Sequence, residues 1–199
     1  EDNPAKLDYL KKVFDLADRL DCRVVTTHIG VVPGDRSEPR YQVMLDAVGE
    51  MARYAHSMGS WIAVETGPEP IATLRGFLDQ CGPGAGINYD PGNLVMVGAD
   101  DEVAAVKTAG SAIVHTHAKD GKARRKISPE EFYHQFAVGG LEWAATCGCY
   151  DETPLGEGDV RWMDYLRALR DVGYDGWLTI EREAKDSADD IRTAVRFLE

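Results

Sequence analysis

Apolar positions along the chain follow two rhythms in alternation. Leu7, Leu10, Val13, Phe14, Ala17 and Leu20 recur at helical spacing, with Asn3 as cap and Pro4 at the first helical position. The second rhythm is the short continuous run, rich in β-branched and aromatic residues. Five such runs stand out: Arg23 to Thr27, Trp61-Ile62-Ala63-Val64, Ile87-Asn88-Tyr89, Ile113-Val114-His115-Thr116 and Trp177-Leu178-Thr179-Ile180. Each has strand length and is set apart by turn residues or helical segments. Helices are expected over about 40–58, where Tyr41, Leu45, Val48, Ala52 and Ala55 face inward and Gly59 stops the pattern. Further helices are expected near 71–80, 101–108, 161–172 and 187–198.

Residues 119–160 carry the weakest periodicity and the most glycine and charge. Ser128-Pro129-Glu130-Glu131 opens a helix there as a capping box. A very short sixth strand is expected near Thr153 to Gly156. The rest reads as a lid or binding loop.

Strands separated by helical crossovers define an α/β fold with a parallel sheet. A closed β/α barrel needs eight strands and about 250 residues. A chain of 199 residues with five or six strands is short by about two βα units. It is nonetheless long enough for one well-buried core, and 1–199 reads as a single domain. The first residue is Glu1 rather than Met, which leads us to expect a portion ahead of it.

The chemistry lies where the runs end. Four of them stop on a metal-ligand residue type: Glu65, Asp90, His117 and Glu181. In parallel α/β folds the carboxyl ends of the strands converge on the ligand site. One strand-end carboxylate could simply cap a helix. Three, each behind apolar residues, would bury mutually repelling charges unless a cation neutralised them. The mixed oxygen and nitrogen donors suit Mn²⁺, Co²⁺ or Mg²⁺, with Zn²⁺ also admissible.

Charge and composition narrow the partners. A formal net charge of −12 disfavours nucleic acid and anionic membranes. No apolar stretch reaches the roughly 18 residues of a membrane span. The cysteines at 22, 81, 147 and 149 match neither a disulfide framework nor a zinc motif, which fits a reducing cytoplasm.

With these residues in view, the chain resembles the sugar phosphate isomerase/epimerase family, the xylose isomerase-like TIM barrels. The resemblance is carried by Val64-Glu65, Tyr89-Asp90-Pro91-Gly92-Asn93 and His115-Thr116-His117-Ala118-Lys119-Asp120. Pro154-Leu155-Gly156-Glu157-Gly158 and Gly173-Tyr174-Asp175-Gly176-Trp177-Leu178-Thr179-Ile180-Glu181 extend it. It implies a (β/α)₈ barrel lacking its first two βα units, so that this chain holds strands three to eight. It also implies one divalent metal ion held by Glu65, Asp90, His117 and Glu181. By the same resemblance Glu65 and Glu181 move a proton by way of an enediolate. Asn93 stands where ketose 3-epimerases tend to have histidine, and the connection from His117 to Glu181 is longer than in those enzymes. Both features point away from a standard free-ketose epimerase and leave the substrate open.

Further candidates for substrate binding are His28 at its strand end, Asn93, Lys119 and Glu157 between two glycines. For Lys119 the alternative is a surface ion pair with Asp120, and for Glu157 simple turn chemistry. Arg124 and Arg125 read as a solvated basic run, and the four tryptophans as packing residues. His56 and His134 receive no role. The expected activity is a metal-dependent isomerase or epimerase of a small sugar or sugar phosphate, with a homo-oligomer as one possible assembly. The rivals are a dehydratase of the inosose or dehydroshikimate type on the same scaffold and a non-catalytic sugar-binding module.

Overall fold

The computed structural model describes residues 3–67, 69–98, 100–125, 127–183 and 187–199. Helix α1 (Asn3–Arg19) leads into β1 (Val24–Thr27), then α2 (Pro39–Ser57), β2 (Trp61–Glu65), α3 (Ile71–Cys81) and β3 (Ala85–Tyr89). The short α4 (Pro91–Val97) and α5 (Ala104–Ala109) precede β4 (Ile113–Ala118) and β5 (Asp120–Ala123). Helix α6 (Pro129–Thr146), β6 (Tyr150–Thr153), α7 (Trp162–Asp171), β7 (Leu178–Ile180) and α8 (Ser187–Leu198) complete the chain.

Five strands form one parallel sheet in the order β1-β2-β3-β4-β7. The result is an arc of a β/α barrel with helices outside it. The inner strands β2 and β3 are buried along nearly their whole length, and a strand covered on both faces must read as a continuous apolar run. Ile62, Val64, Ile87 and Tyr89 pack into a core with Leu74 and Phe77 of α3 and with Met51 and Ala52 of α2. The outer strands β1 and β7 are only partly buried, because each has a strand neighbour on one side alone among the described residues.

Four expectations need correction. The sixth strand lies at Tyr150–Thr153, just before the expected place, and it does not join the barrel arc. It pairs antiparallel with β5, so β4 and β7 are direct neighbours. The 119–160 stretch is not mainly irregular, since α6 fills 18 residues of it with a break at Gly140. Leu20 and Trp177 are exposed, Trp177 to 79%, rather than packed. Finally, Asp120 is not a surface partner for Lys119.

Asp120 is fully buried and holds the β6–α7 connection to the barrel. Its carboxylate accepts from the backbone N–H groups of Gly121 and Gly156 at 2.9 Å and of Gly158 and Val160 at 3.2 Å. Trp162 Nε1–H donates to it as well, at 2.8 Å. A side chain at position 158 would overlap Asp120 Oδ1, so glycine is required there. Removing the carboxylate would strand several buried donors, each costing about 1–3 kcal/mol. Asp120→Ala is therefore expected to lower unfolding stability by about 3 kcal/mol or more. Urea denaturation checks this, and a loss below about 1 kcal/mol would show that the connection is held by other means.

Candidate metal centre

The carboxyl ends of β2, β3, β4 and β7 bring four side chains to one place. One ligand atom from each of Glu65, Asp90, His117 and Glu181 lies within 4.8 Å of all the others. His117 Nδ1 points at all three carboxylates: Glu181 Oε2 at 2.9 Å, Asp90 Oδ2 at 3.4 Å and Glu65 Oε1 at 3.6 Å. Glu65, Asp90 and His117 are buried, and Glu181 is partly open to solvent.

Each position follows from local structure. Asp90 ends β3 and caps α4, with Oδ1 accepting from the Asn93 N–H at 3.1 Å. Pro91 at the first helical position starts that turn without needing a donor. One oxygen thus serves the helix while Oδ2 faces the cluster, so capping and clustering are not alternatives here. His117 and Lys119 project from one side of the chain because a strand alternates its faces. Gly92 lets Lys119 cross the first turn of α4: a Cβ at 92 would lie 2.9 Å from both Lys119 Cγ and its carbonyl oxygen.

Surrounding side chains orient the carboxylates. Asn93 Nδ2 donates to Glu65 Oε1 at 2.9 Å, and His28 Nε2 lies 3.5 Å from Glu65 Oε2. Lys119 Nζ donates to Glu181 Oε2 at 3.1 Å and lies 3.8 Å from Glu152 Oε2. Glu152 is held in turn by Arg182 Nη1 at 2.9 Å and the Glu183 N–H at 2.7 Å. A chain of alternating charges thus runs from Arg182 through Glu152 and Lys119 to Glu181.

Electrostatics set the charge states within the cluster. Burial pushes the Asp90 carboxyl up from its ordinary range. Burial works against a charged His117, yet hydrogen bonds to Asp90, Glu181 and Glu65 overcome it and raise this imidazole to about 11. Glu181 shows the converse: burial disfavours its charge, but His117 and Lys119 hold it well below the usual carboxylate range. Lys119 is raised despite its burial by the Asp90, Glu181 and Glu152 charges. Three carboxylates therefore draw positive charge to their centre, where Nδ1 can offer a lone pair to a metal once its proton leaves. The donor set fits one divalent cation, with oxygen ligands and a single imidazole nitrogen.

The cluster opens into a cavity of about 630 Å³, within the range of small-molecule sites. Its lining includes His28, Asn93 and Lys119 together with Glu65 and Glu181. Glu157 is absent from the lining and sits exposed in the turn after Pro154. Several lining residues escaped the sequence reading: Arg40, Glu152, His134, and the apolar wall of Met96, Phe132 and Tyr150. Only tertiary folding reveals that wall, because α4, α6 and β6 are brought together from separate parts of the chain. Asn88 was also missed, although it lies two residues before Asp90 and so shares its face. Of the remaining candidates, Arg124 pairs with Asp151, and all four cysteines are unpaired thiols.

A parallel β/α arc with a carboxylate–imidazole cluster at its strand ends defines a class of barrel proteins. The chain matches the xylose isomerase-like TIM barrel family over residues 1–199 and belongs to it. It is 31% identical over 140 residues to the uncharacterized protein YfiH of Bacillus subtilis, covering 66% of this chain and 41% of that protein. A xylose isomerase domain protein from Planctomyces limnophilus shares 28% identity at a TM-score of 0.80, covering 100% of this chain and 64% of that one. A D-allulose 3-epimerase from Methylomonas sp., solved with D-allulose, has the same fold. Its TM-score is 0.70 at 18% identity, covering 96% of this chain and 67% of that one. The chain thus spans less than two thirds of the length of YfiH and of the Planctomyces protein. Among the described residues no helix is long and apolar enough to cross a membrane.

Proposed function

We propose that this protein is a divalent-metal-dependent isomerase or epimerase of a small sugar or sugar phosphate. The observation that carries the reading is the convergence of Glu65, Asp90, His117 and Glu181 within 4.8 Å, beside a cavity that Glu65 and Glu181 both line. These four residues would hold the ion. When bound, a divalent ion polarises carbonyl and hydroxyl oxygens and acidifies the C–H between them. Manganese, cobalt and magnesium suit the oxygen-rich donors, and zinc is also compatible.

The chain's own residues supply the proton transfers. One of Glu65 and Glu181 removes the proton from the carbon beside the carbonyl, and the electron pair moves onto oxygen to leave an enediolate. The other glutamate, carrying a proton, returns it on the opposite face to give the epimer. Delivery to the neighbouring carbon gives aldose–ketose isomerisation instead. Such acid–base work contributes about 10²–10⁴ in rate. His28, Asn93 and Lys119 line the cavity, which supports a role for them in hydrogen-bonding substrate oxygens. The same reading takes 1–199 as one domain of the barrel, acting in a reducing cytoplasm.

Proton NMR in D₂O tests the proposal directly. The metal-loaded protein is incubated with a panel of ketoses and their phosphates. Solvent deuterium at one carbon, with a changed sugar and no loss of water, supports it. Loss of water makes the protein a dehydratase, and binding without C–H exchange on any sugar makes it a binding module.

A further inference from the structure

We propose that Asn88 is a positioning residue for His117, accepting the Nε2–H of the ring so that Nδ1 is left bare toward the metal. The inference rests on the metal centre proposed above. His117 Nδ1 faces the three carboxylates, so an ion among them takes the lone pair of that nitrogen and the ring proton must sit on Nε2. Nε2 has its own neighbour in the Asn88 carboxamide, 3.2 Å away. Asn88 is fully buried in β3, between Glu65 of β2 and His117 of β4.

The carboxamide as placed leaves one atom unused. Asn88 Nδ2 is shared between Glu65 Oε2 at 3.3 Å and His117 Nε2 at 3.2 Å, while Oδ1 is buried without a partner. A buried acceptor without a donor costs about 1–3 kcal/mol. An Nε2–H facing an amide NH₂ would add two opposed donors. Carboxamide nitrogen and oxygen have nearly the same shape, and their placement follows from the partners each can find. Turning the group about Cβ–Cγ brings Oδ1 to Nε2–H in place of two opposed donors and moves Nδ2 to the side where Oδ1 has no partner, so the exchange is favourable only when the ion fixes the ring proton on Nε2. Glu65 then gives up one amide hydrogen bond as the ion supplies its positive charge, while Asn93 continues to donate to Oε1. Asn88 thereby ties the state of the ring to occupancy of the centre. Partners behind a ligating histidine are typically worth about 10–100-fold in metal affinity.

Metal affinity separates this role from a purely structural one. Co²⁺ binding is measured by calorimetry for the wild type, Asn88→Leu, Asn88→Ala and Asn88→Asp, with thermal melts confirming that each metal-free variant folds. Leucine and alanine provide no acceptor and are expected to weaken Co²⁺ about 10–100-fold. Aspartate keeps the acceptor, loses the donor and adds a carboxylate beside Glu65, so its affinity is expected to be no weaker than that of wild type. In the Zn²⁺-loaded protein the His117 Nε2–H proton resonance is expected downfield in wild type and Asn88→Asp, and shifted upfield in Asn88→Leu. Unchanged affinity in the leucine and alanine variants overturns the assignment. So does equal weakening in the aspartate variant, which would make the amide a donor to Glu65 only. If the wild type binds no Co²⁺, the metal centre itself is refuted, a result distinct from either of these.

Discussion

Glu181→Gln is expected to lower solvent-deuterium exchange into substrate by about 10²–10⁴-fold while leaving the fold intact. Glutamine keeps the volume and one oxygen of the side chain but cannot carry a proton away from carbon. The physical grounds lie in its surroundings. His117 Nδ1 at 2.9 Å and Lys119 Nζ at 3.1 Å hold Glu181 ionised, and it lines the cavity at the end of the sheet. It is the least buried of the four clustered groups, so the amide fits without disturbing the core. NMR exchange rates and the far-UV circular dichroism of the same sample check both halves of the claim. Near-normal exchange in this variant would remove Glu181 from the proton-transferring pair. Parallel titration with Co²⁺ separates loss of the base from loss of a ligand.

Stripping the metal with a chelator is expected to stop exchange entirely and also to lower the melting temperature. An ion that binds only the folded state at 100 times its Kd stabilises by about 2.7 kcal/mol. For a chain of this size each kcal/mol moves the midpoint by about 2–4 °C, so the expected drop is roughly 5–10 °C. The sign follows from the cluster: without the ion, the buried carboxylates of Asp90 and Glu65 face that of Glu181, and His117 and Lys119 offset the repulsion in part. Thermal melts with and without chelator, followed by re-addition of Mn²⁺, Co²⁺, Mg²⁺ or Zn²⁺, measure the effect and rank the metals. An unmoved midpoint together with unmoved exchange would mean that the protonated imidazole alone neutralises the site.

Much of this site was legible before folding was considered. Ile62-Ala63-Val64 are buried on both faces of the sheet, and a short apolar run rich in β-branched residues fits a strand inside a covered parallel sheet. The shared ending of such runs in ligand residues located Glu65, Asp90, His117 and Glu181. Helix α4 was missed because its signal is brief: a cap at Asp90, Pro91 next to it, and too few residues for a periodic stripe. The 119–160 stretch was underread for a different reason. Asp120-Gly121-Lys122-Ala123 shows no clear alternation, and its strand is maintained by pairing with Tyr150–Thr153 and by the donors gathered on Asp120. Gly140, at φ 60° and ψ −157°, breaks α6 and blurs the helical period.

The sequence alone determined the parallel β/α architecture and singled out the four side chains that cluster at the strand ends, because strand periodicity and strand ends are local features written in consecutive residues. Tertiary structure decided which neighbours those side chains meet. Asn88 beneath His117, Glu152 behind Lys119, the apolar wall from α4, α6 and β6, and the placement of Glu157 outside the cavity all depend on contacts between distant segments. Packing sets such contacts, and no spacing along the chain encodes them.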